Sequence, residues 1–373
     1  MTAIAIIGAG QLAQMMARAG QPLGLKFVFL AEAAEEVSCV EGLGSVVRIP
    51  EKKTEQTIAL LFEQAGRPNI VTVEKEHVDL ELMRFLDTLT KVRPSVQALT
   101  IAKNRLAEKT FLQSVGVPIA DFHEVRDQAS AQKAFEAFEY NGFLKSQEEG
   151  YDGYHQWRVT DKDSAAAALA EIPSEGRWVF ERAVAFDCEL SFLFVCEASG
   201  EISAYDPAWN THREGQLLSS IVPAPQSNKD LESVAAGYAS AIQNQTGYVG
   251  VLSIECFLVG DQLLVNEIAP RVHNSGHWSM HGALTSQFES HIRAVAGLPL
   301  TDLKRQGYCA MVNCLGREPK AKDLSSSRAF LYSYGKSARP RRKLGHVNVV
   351  CDTSTERDEL VAQLVEMIYQ SST

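Results

Sequence analysis

The sequence predicts an α/β protein of two or three domains that begins with a parallel β-sheet. In the first hundred residues, short β-prone runs alternate with amphipathic helical patterns, an order that favours a parallel sheet covered by helices. A glycine turn, Gly8 to Gly10, joins the first strand to the first helix, and a hairpin signal follows much later at Gly260 and Asp261. With 373 residues, 45% of them hydrophobic, the chain is long enough for more than one core.

The composition argues against several classes of protein. No apolar run approaches the ~20 residues of a membrane span. The start of the chain lacks the basic segment of a signal peptide, so we expect a cytoplasmic protein without membrane contact. The seven cysteines are scattered without a CxxC pair, which indicates reduced, mostly buried thiols. A formal net charge of -10 argues against nucleic-acid binding and implies a local basic cluster for any anionic substrate.

The first strand, Ala3 to Ile7, and the first helix, Gln11 to Ala19, flank the glycine turn. Glycine lets a backbone approach a ligand and a helix N-terminus attracts phosphate, so a dinucleotide site is one interpretation. Ala13 and Glu32 roughly match the rest of that fingerprint, but the two glycines alone are a weak signal. Further strands are predicted at Lys26–Leu30, Ser45–Arg48 and Ile70–Val73, with helices at Thr54–Ala65 and Asp79–Leu89, and the domain should end near Pro94.

A capped amphipathic helix from Thr100 to Leu112 should begin the central part of the chain. Strands at Phe143–Lys145 and Gln156–Val159 enclose a glycine-containing loop that could cover phosphates, although a polar hairpin loop with a surface lysine is at least as plausible. The apolar run from Trp178 to Val184 could expose a backbone edge to an adenine ring, or it could be a core strand.

Two acids, Glu255 and Glu267, lie on neighbouring strands of a predicted hairpin. Glu255 is on the first strand, within Val249 to Val265, and Glu267 follows Val265 on the continuation of the second strand. If the loop has an odd number of residues, the acids lie directly opposite each other, whereas a strict two-residue loop would put them on opposite faces. Opposed carboxylates repel at about 5 Å, and Mg²⁺ with nucleotide phosphates would remove that repulsion. The alternative is an exposed strand with two solvated acids.

The residues around and after Glu267 include several side chains that can bind anions or a metal ion. Asn266 can hold a cation or an adenosine hydroxyl, Arg271 suits a planar carboxylate, bicarbonate or phosphate, and His273 can exchange protons near neutral pH. Taken singly, Arg271 could be a surface ion pair and His273 a core or surface histidine. Together they indicate a site for anions and a metal ion.

The order of these motifs resembles that of the ATP-grasp superfamily. The matching positions are Arg105, Lys145, the loop Gly150 to Gly153, Glu181 to Val184, Glu189, His212, Glu255, Asn266 and Glu267. With Gly8 to Leu12 in front and the highly specific string from Asn266 to Trp278 behind, nearly the whole chain resembles the 5-(carboxyamino)imidazole ribonucleotide synthases of purine biosynthesis. This resemblance argues against the dinucleotide interpretation of the glycine turn.

The resemblance implies an ATP-grasp fold with an N-terminal parallel-sheet domain and a small C-terminal domain. It also implies ATP- and Mg²⁺-dependent carboxylation of 5-aminoimidazole ribonucleotide by bicarbonate, through carboxyphosphate, and a homodimer. The implied bounds are 1–99 for the N-terminal domain, 100–297 for the ATP-grasp domain with a lid at about 117–185, and 298–373 for the C-terminal domain.

The resemblance also implies roles for individual residues. The nucleotide would contact Arg105, Lys145, Gly150, Tyr151, Gly153, Glu181, Arg182, Ala183, Val184, Glu189, His212, Asn266 and Glu267. Glu255 and Glu267 would hold Mg²⁺, and the catalytic set would be Arg271, His273, Asp152 and Lys336. The acceptor ribonucleotide would contact Gln11, Leu12, Glu76, Asn274, Arg339, Arg342 and Lys343. Without the resemblance, the basic stretch Lys336 to Lys343 would be interpreted as a solvated loop or a nucleic-acid patch.

The chain departs from the family pattern around the glycine loop. Residues 146–149 are Ser, Gln, Glu and Glu where basic residues and glycine are usual, and Tyr154 and His155 replace a basic residue and glycine. Acids beside a triphosphate raise the electrostatic cost of closing a loop over it. An alternative function is therefore nucleotide binding with impaired chemistry.

Overall fold

A computed structural model describes residues 2–148, 156–172, 175–320, 322, 324 and 326–369. The predicted loop residues Gly150, Tyr151, Asp152 and Gly153, together with Glu149, Tyr154 and His155, lie outside the described residues. The roles assigned to these positions therefore stay predictions.

The N-terminal domain is the predicted parallel sheet with helices on its faces. Its strands run in the order β3-β2-β1-β4-β5, and every pairing between them is parallel. The strands are β1 (Ala3–Ile7), β2 (Lys26–Ala31), β3 (Ser45–Arg48), β4 (Ile70–Val73) and β5 (Lys91–Val92). The helices are α1 (Gln11–Gly20), α2 (Glu55–Gln64), α3 (Leu80–Leu89) and α4 (Val96–Lys103). The predicted strands and helices of this domain are confirmed to within a few residues.

The predicted single helix from Thr100 to Leu112 is wrong. Asn104 adopts an extended conformation (φ -124°, ψ 118°) that ends α4 and starts α5 (Arg105–Ser114). Its side-chain oxygen accepts a hydrogen bond from the backbone N–H of Ala107, 2.9 Å away. Asparagine is among the best N-cap residues, so this local bond outweighs continuation of the helix.

The residues of the predicted lid form a separate four-stranded antiparallel sheet with strand order β6-β9-β7-β8. Its own core includes Phe135, Leu144 and Phe180, all fully buried. The elements are β6 (Phe122–Asp127), α6 (Gln128–Ala137), β7 (Gly142–Ser146), β8 (Gln156–Val159), α7 (Lys162–Glu171) and β9 (Glu175–Arg182).

The expectation of a free backbone edge along Trp178 to Val184 is wrong for most of that run. Strand β9 is an inner strand that pairs with both β6 and β7, so that Glu181 lies opposite Phe122 on one side and Phe143 on the other. Beyond Arg182 the chain leaves the sheet, although the N–H of Ala183 still donates to Asn141. Within this run, the main-chain groups that lie beyond the sheet are those of Ala183 and Val184.

The central sheet joins the ATP-grasp and C-terminal domains. Its strand order is β15-β14-β10-β12-β13-β16-β18-β17, with β11 paired to β10, and its pairings are antiparallel. The strands are β10 (Cys188–Cys196), β11 (Ile202–Ala204), β12 (Ala208–Arg213), β13 (Gln216–Val222), β14 (Gly250–Val259), β15 (Gln262–Ala269), β16 (Tyr308–Leu315), β17 (Ala329–Ser333) and β18 (Lys343–Cys351). The helices are α8 (Lys229–Thr246), α9 (Ser279–Gly282), α10 (Gln287–Ala296) and α11 (Ser354–Tyr369).

One hydrophobic cluster connects all three domains. It contains Ile4 and Met16 from the N-terminal domain, Leu193 and Ile292 from the central part and Met311 from the C-terminal strands. This shared core packs the N-terminal domain against one face of the central sheet, which includes the strands of the C-terminal domain. The seven cysteines are unpaired and six are buried, as predicted. None of the helices in the described ranges is long and apolar enough to cross a membrane.

Candidate active site

The two acids of the hairpin lie directly opposite each other, but not for the predicted reason. The loop has two residues, because Val259 pairs with Gln262, and this register alone would separate the acids. A β-bulge shifts the register between Glu255 and Cys256, so that Asn266 becomes the extra residue and Glu255 pairs with Glu267. Bulges of this kind re-aim side chains beside functional sites.

The carboxylate pair is suited to a hard cation. Burial, followed by the charge of Glu267, raises the pKa of Glu255, because two like charges are held together away from water. Among the described residues, no group of three or more His, Cys, Asp or Glu side chains could hold a metal ion. Two opposed carboxylates match the donor set of an ion that takes its remaining ligands from phosphate and water, as Mg²⁺ does.

Arg271 joins the hairpin to the N-terminal domain. Its Nε donates to Oε2 of Glu76, and its Nη2 donates to Oε1 at 3.0 Å, so the pair is bidentate. Burial alone would raise the pKa of the Glu76 carboxyl, but Arg271 outweighs it and lowers that pKa to about 2. The two predicted site residues are thus brought together, and Glu76 fixes the orientation of the guanidinium.

His273 lies beside the acidic pair with its Nε2 3.4 Å from Oε1 of Glu255. Its Nδ1 accepts the backbone N–H of Ser275 at 3.3 Å, so the proton of the neutral ring is on Nε2. Burial and the nearby Arg271 hold the pKa of His273 well below its ordinary value. The lowered pKa and the hydrogen bond to Nδ1 favour a neutral ring that donates through Nε2, and proton exchange by His273 near neutral pH stays a prediction.

Three cations surround the buried carboxylate of Glu181. The amino groups of Lys145 and Lys109 each lie 3.0 Å from Oε2 of Glu181, and Nη1 of Arg105 lies 3.7 Å from Oε1. These cations overcome the effect of burial and lower the pKa of Glu181 to about 2. The cluster brings together three predicted nucleotide contacts and leaves a surplus of positive charge at the base of the lid.

Two further predicted nucleotide contacts, Glu189 and His212, also meet. Nδ1 of His212 on β12 contacts a carboxylate oxygen of Glu189 on β10. Burial acts to lower the pKa of His212, but the hydrogen bond and charge of Glu189 raise it overall. The two side chains connect neighbouring strands of the central sheet.

The basic stretch near the C-terminus reaches the start of the chain. Nζ of Lys336 donates to Oε1 of Gln11 at 2.7 Å. Lys343 lies close enough to the acidic pair that its charge acts to lower the pKa of both Glu255 and His273. Two more predicted contacts lie further out: Arg342, which donates to Ser337, and Arg339, whose side chain is exposed.

Asn274 presents a buried carboxamide to this site. Its Oδ1 and Nδ2 atoms are both inaccessible to solvent and have no hydrogen-bond partner among the described residues. Burying such a group without partners is costly. This observation supports the prediction that Asn274 contacts a ligand.

The N-terminus of α1 is occupied by a side chain, which excludes the dinucleotide interpretation. The buried carboxylate of Glu74 accepts the N–H of Gly10 through Oε1 at 3.0 Å and that of Ala13 through Oε2 at 3.0 Å. A Cβ on Gly8 would lie 2.4 Å from Glu74. The glycine turn therefore makes room for Glu74 rather than for a pyrophosphate, whose charge Glu74 would repel.

Sequence reasoning missed three buried charged residues, which are Glu74, Glu108 and Lys109. Glu108 accepts the backbone N–H of Ile268 at 2.6 Å, next to Glu267, and burial together with Glu267 raises its pKa to about 8. Within a helix of mixed charge, Glu108 and Lys109 resemble solvent-exposed residues, and only the packing of α5 under the lid reveals them. The large cavity beside α5, about 1260 Å³, is lined by other residues, including Arg126 and Arg177.

The fold and this site define an ATP-grasp ligase. Residues 110–288 match the ATP-grasp domain, residues 1–103 match the ribonucleotide synthetase preATP-grasp domain, and residues 309–360 match the phosphoribosylaminoimidazole carboxylase C-terminal domain. The chain is 37% identical over 368 residues to N5-carboxyaminoimidazole ribonucleotide synthase from Pseudomonas aeruginosa, with 98% of each chain covered.

The similarity extends to solved structures. The N5-carboxyaminoimidazole ribonucleotide synthetase from Thermus thermophilus superposes with a TM-score of 0.90 at 38% identity, covering 99% of both chains. The Staphylococcus aureus N5-carboxyaminoimidazole synthetase complexed with ADP has a TM-score of 0.86 at 28% identity, covering 97% of this chain and 96% of that one. The chain belongs to the N5-carboxyaminoimidazole ribonucleotide synthase family of ATP-dependent ligases in purine biosynthesis.

Proposed function

We propose that the protein carboxylates the exocyclic amine of 5-aminoimidazole ribonucleotide with bicarbonate and ATP. The products are 5-carboxyamino-1-(5-phospho-D-ribosyl)imidazole, ADP and phosphate. The observation that carries this proposal is the convergence of the opposed pair Glu255 and Glu267 with Arg271 and His273 in one site. Family membership supports the same reaction.

We assign nucleotide binding to the lid and the adjoining end of the central sheet. The cationic surplus of Arg105, Lys109 and Lys145 suits the phosphates of ATP. Adenine would lie along Arg182, Ala183 and Val184, and the ribose by Glu189 and His212. Asn266, Gly150, Tyr151 and Gly153 complete the proposed set.

Mg²⁺ is proposed to bind between Glu255 and Glu267. When bound, it would neutralise negative charge on the nucleotide phosphates. The fit rests on two opposed, half-buried carboxylates whose charges repel each other.

The acceptor is proposed to lie where the N-terminal and C-terminal domains meet. Gln11, Leu12 and Lys336 would border the ribonucleotide, and the unpartnered carboxamide of Asn274 would contact it. Its phosphate would be held by Arg339, Arg342 and Lys343, whose charges compensate for the overall negative charge of the chain.

The chemistry follows from this arrangement. A bicarbonate oxygen attacks the terminal phosphorus of ATP, which releases ADP and gives carboxyphosphate. The exocyclic amine then bonds to the carboxyl carbon as the bond from that carbon to the phosphate oxygen breaks, and phosphate leaves with the amine proton. If carboxyphosphate first breaks down to CO₂ and phosphate, the amine attacks CO₂ and gives the same proton to that phosphate. Arg271, oriented by Glu76, binds the bicarbonate-derived anion, while Nε2–H of His273 donates a hydrogen bond to it. Asp152, outside the described residues, is the proposed residue beside the amine.

The alternative of impaired chemistry gains no support from Gln147 and Glu148, which are among the described residues just before the loop. The carbonyl of Gln147 accepts the N–H of Arg105, and the side chain of Glu148 is within 3.4 Å of Nδ2 of Asn104. Glu148 also lines a second cavity with His77 and Lys103. Its charge is therefore directed along the start of α5 and is exposed to solvent, where it is screened.

We further propose three parts with distinct roles: acceptor binding in 1–99, nucleotide binding in 100–297 with a lid at about 117–185, and phosphate recognition in 298–373. A cytoplasmic location fits the seven unpaired thiols. The homodimer is proposed from family resemblance and can be tested by analytical ultracentrifugation.

The deciding experiment measures ADP release with Mg²⁺-ATP and 5-aminoimidazole ribonucleotide, with and without bicarbonate. We expect bicarbonate-dependent release that is lost, by about 10³-fold or more, in Glu267→Gln, because one carboxylate of the proposed metal pair becomes neutral. Asp261→Asn makes the same charge change on the exposed turn of the same hairpin and should leave the rate unchanged. Unchanged turnover in Glu267→Gln would contradict the proposed site.

A further inference from the structure

The side chain of Gln287 makes hydrogen bonds to both main-chain polar groups of His273, the N–H and the carbonyl. The side chain of Gln287 is fully buried at the first turn of α10. Its Oε1 accepts the N–H of His273 at 2.8 Å, and its Nε2 donates to the carbonyl of His273 at 2.7 Å. One planar carboxamide thus satisfies both main-chain polar groups of a single proposed catalytic residue.

The carboxamide is itself fixed from several directions. The main-chain N–H of Gln287 donates to Oγ of Ser279 at 2.9 Å, which fixes the start of the side chain. The side-chain Nε2 lies 3.0 Å from Nδ1 of His277. Gly276 permits this approach, because a Cβ there would lie 2.7 Å from Oε1 of Gln287. Because the carboxamide is held rigidly, it can fix the position of His273. Such positioning affects the rate, since a small displacement at a reactive centre can slow a reaction about 100-fold.

The position of the His273 ring follows from its fixed main chain. Nδ1 of the ring contacts the hydroxyl of Ser275 at 2.8 Å as well as the Ser275 N–H. With the main chain and Nδ1 both held, Nε2 can point only toward Glu255 and the space beside it. The segment carrying His273 lies between β15 and α9, where His273 caps a single 3-10 turn, Asn274–Gly276, and Gln287 connects that turn to the longer helix α10.

We propose that Gln287 is a positioning residue for the carboxylation reaction, holding the His273 ring in its reactive orientation through the main chain. This inference rests on the proposed role of His273. It extends the site to a residue that touches neither nucleotide nor acceptor and acts from α10, on the far side of the loop.

The first test compares Gln287→Leu with Gln243→Leu. Gln243 is a matched control, since it is also a buried helical glutamine whose Nε2 donates one hydrogen bond to the carbonyl of Glu197, and its helix α8 packs in a different hydrophobic cluster from α10. We expect Gln287→Leu to lower kcat about 10- to 100-fold while KM for Mg²⁺-ATP changes less than about twofold. Gln243→Leu should retain wild-type kcat. Circular dichroism and thermal midpoints establish that both variants are folded.

A double-mutant cycle with His273→Ala tests whether Gln287 acts through the ring. If it does, Gln287→Leu produces no further loss of kcat in the His273→Ala background. Multiplicative losses in the double variant, or wild-type kcat in the single Gln287→Leu variant, would overturn the inference. If His273→Ala alone retains full activity, the proposed role of His273 fails as well, which is a distinguishable result.

Gln287→Glu keeps the inference testable if the leucine variant does not fold. A protonated carboxylic acid can make both hydrogen bonds of the carboxamide, whereas a carboxylate cannot donate to the carbonyl of His273. The ratio of the kcat of Gln287→Glu to that of wild type should therefore be highest at the lowest pH at which both proteins are active, and it should fall as pH rises. A ratio that does not depend on pH would contradict the proposal.

Discussion

His291 connects α10 to two different sheets through both of its ring nitrogens. Its Nδ1 accepts the N–H of Val251 on β14, and its Nε2 lies 3.0 Å from the hydroxyl of Thr72 on β4. Complete burial lowers the pKa of His291 to about 4. The ring is therefore neutral in the folded protein at pH 7, and protonation would remove the bond to Val251.

Lowering the pH should destabilise the protein through His291. The unfolded side chain titrates near 6.5, so between that pH and about 4 the unfolded state binds more protons and the free energy of unfolding decreases as pH falls. The difference between the pKa values of His291 in the unfolded and folded states corresponds to roughly 3 kcal/mol of unfolding free energy, at ~1.4 kcal/mol per pH unit. Urea titrations of wild type and His291→Gln at pH 7 and about pH 4.5 should show a smaller pH effect in the variant.

A histidine on the surface provides the control for this measurement. His123 is exposed, so His123→Gln should leave the pH dependence of the unfolding free energy unchanged. Identical pH dependence in wild type and His291→Gln would show that protonation of His291 does not limit acid stability.

At the scale of an element, the start of α1 depends on a close contact between the glycine turn and Glu74. Gly8 has φ 109°, and a Cβ there would overlap Cγ of Glu74 at 2.4 Å. Gly24 also has a positive φ of 77°, but a Cβ there would meet nothing within 4 Å. A side chain at Gly24 would cause backbone strain alone, whereas a side chain at Gly8 would cause backbone strain and a steric clash with Glu74.

We expect Gly8→Ala to be more destabilising than Gly24→Ala. Both variants incur strain of about 1 to 2 kcal/mol from the left-handed backbone, and Gly8→Ala adds overpacking of about 1 to 3 kcal/mol. Displacing Glu74 would also disturb its bonds to Gly10 and Ala13. Chemical denaturation of both variants measures the difference, and equal losses would mean that Glu74 moves aside freely.

At the scale of the whole molecule, the shared core predicts which parts unfold together. Ile292 on α10 belongs to the cluster that spans the N-terminal and central domains, whereas Leu144 on β7 belongs to the lid core. Both side chains are fully buried. Replacing either with alanine should cost about 2 to 5 kcal/mol within its own core.

Hydrogen exchange can distinguish the two cores. We expect Ile292→Ala to reduce the protection of amides in β1 and β14 by a similar amount while leaving β7 and β9 largely unchanged, and Leu144→Ala to do the reverse. Loss of protection in β14 without any change in β1 would show that the N-terminal domain unfolds independently.

The sequence by itself determined the elements whose signals are local. Strands β1, β3, β4 and β8 fall at the predicted residues, because runs of β-prone residues bounded by turns need no distant partner to be recognised. The motif order and the string from Asn266 to Trp278 determined the family, because each residue type there has a chemical purpose that folding does not require. The pairing of Arg271 with Glu76 was not visible, since 195 residues separate them.

Tertiary structure alone decided how the site is assembled. The bulge at Asn266 set the two acids opposite each other, Asn104 broke a continuous helical pattern, and Gln287 came to hold His273. It also decided that Glu74, Glu108 and Lys109 are buried and that burial and Arg271 lower the pKa of His273. Register, burial and pKa depend on which distant groups share a small volume, and local sequence patterns carry no information about that volume.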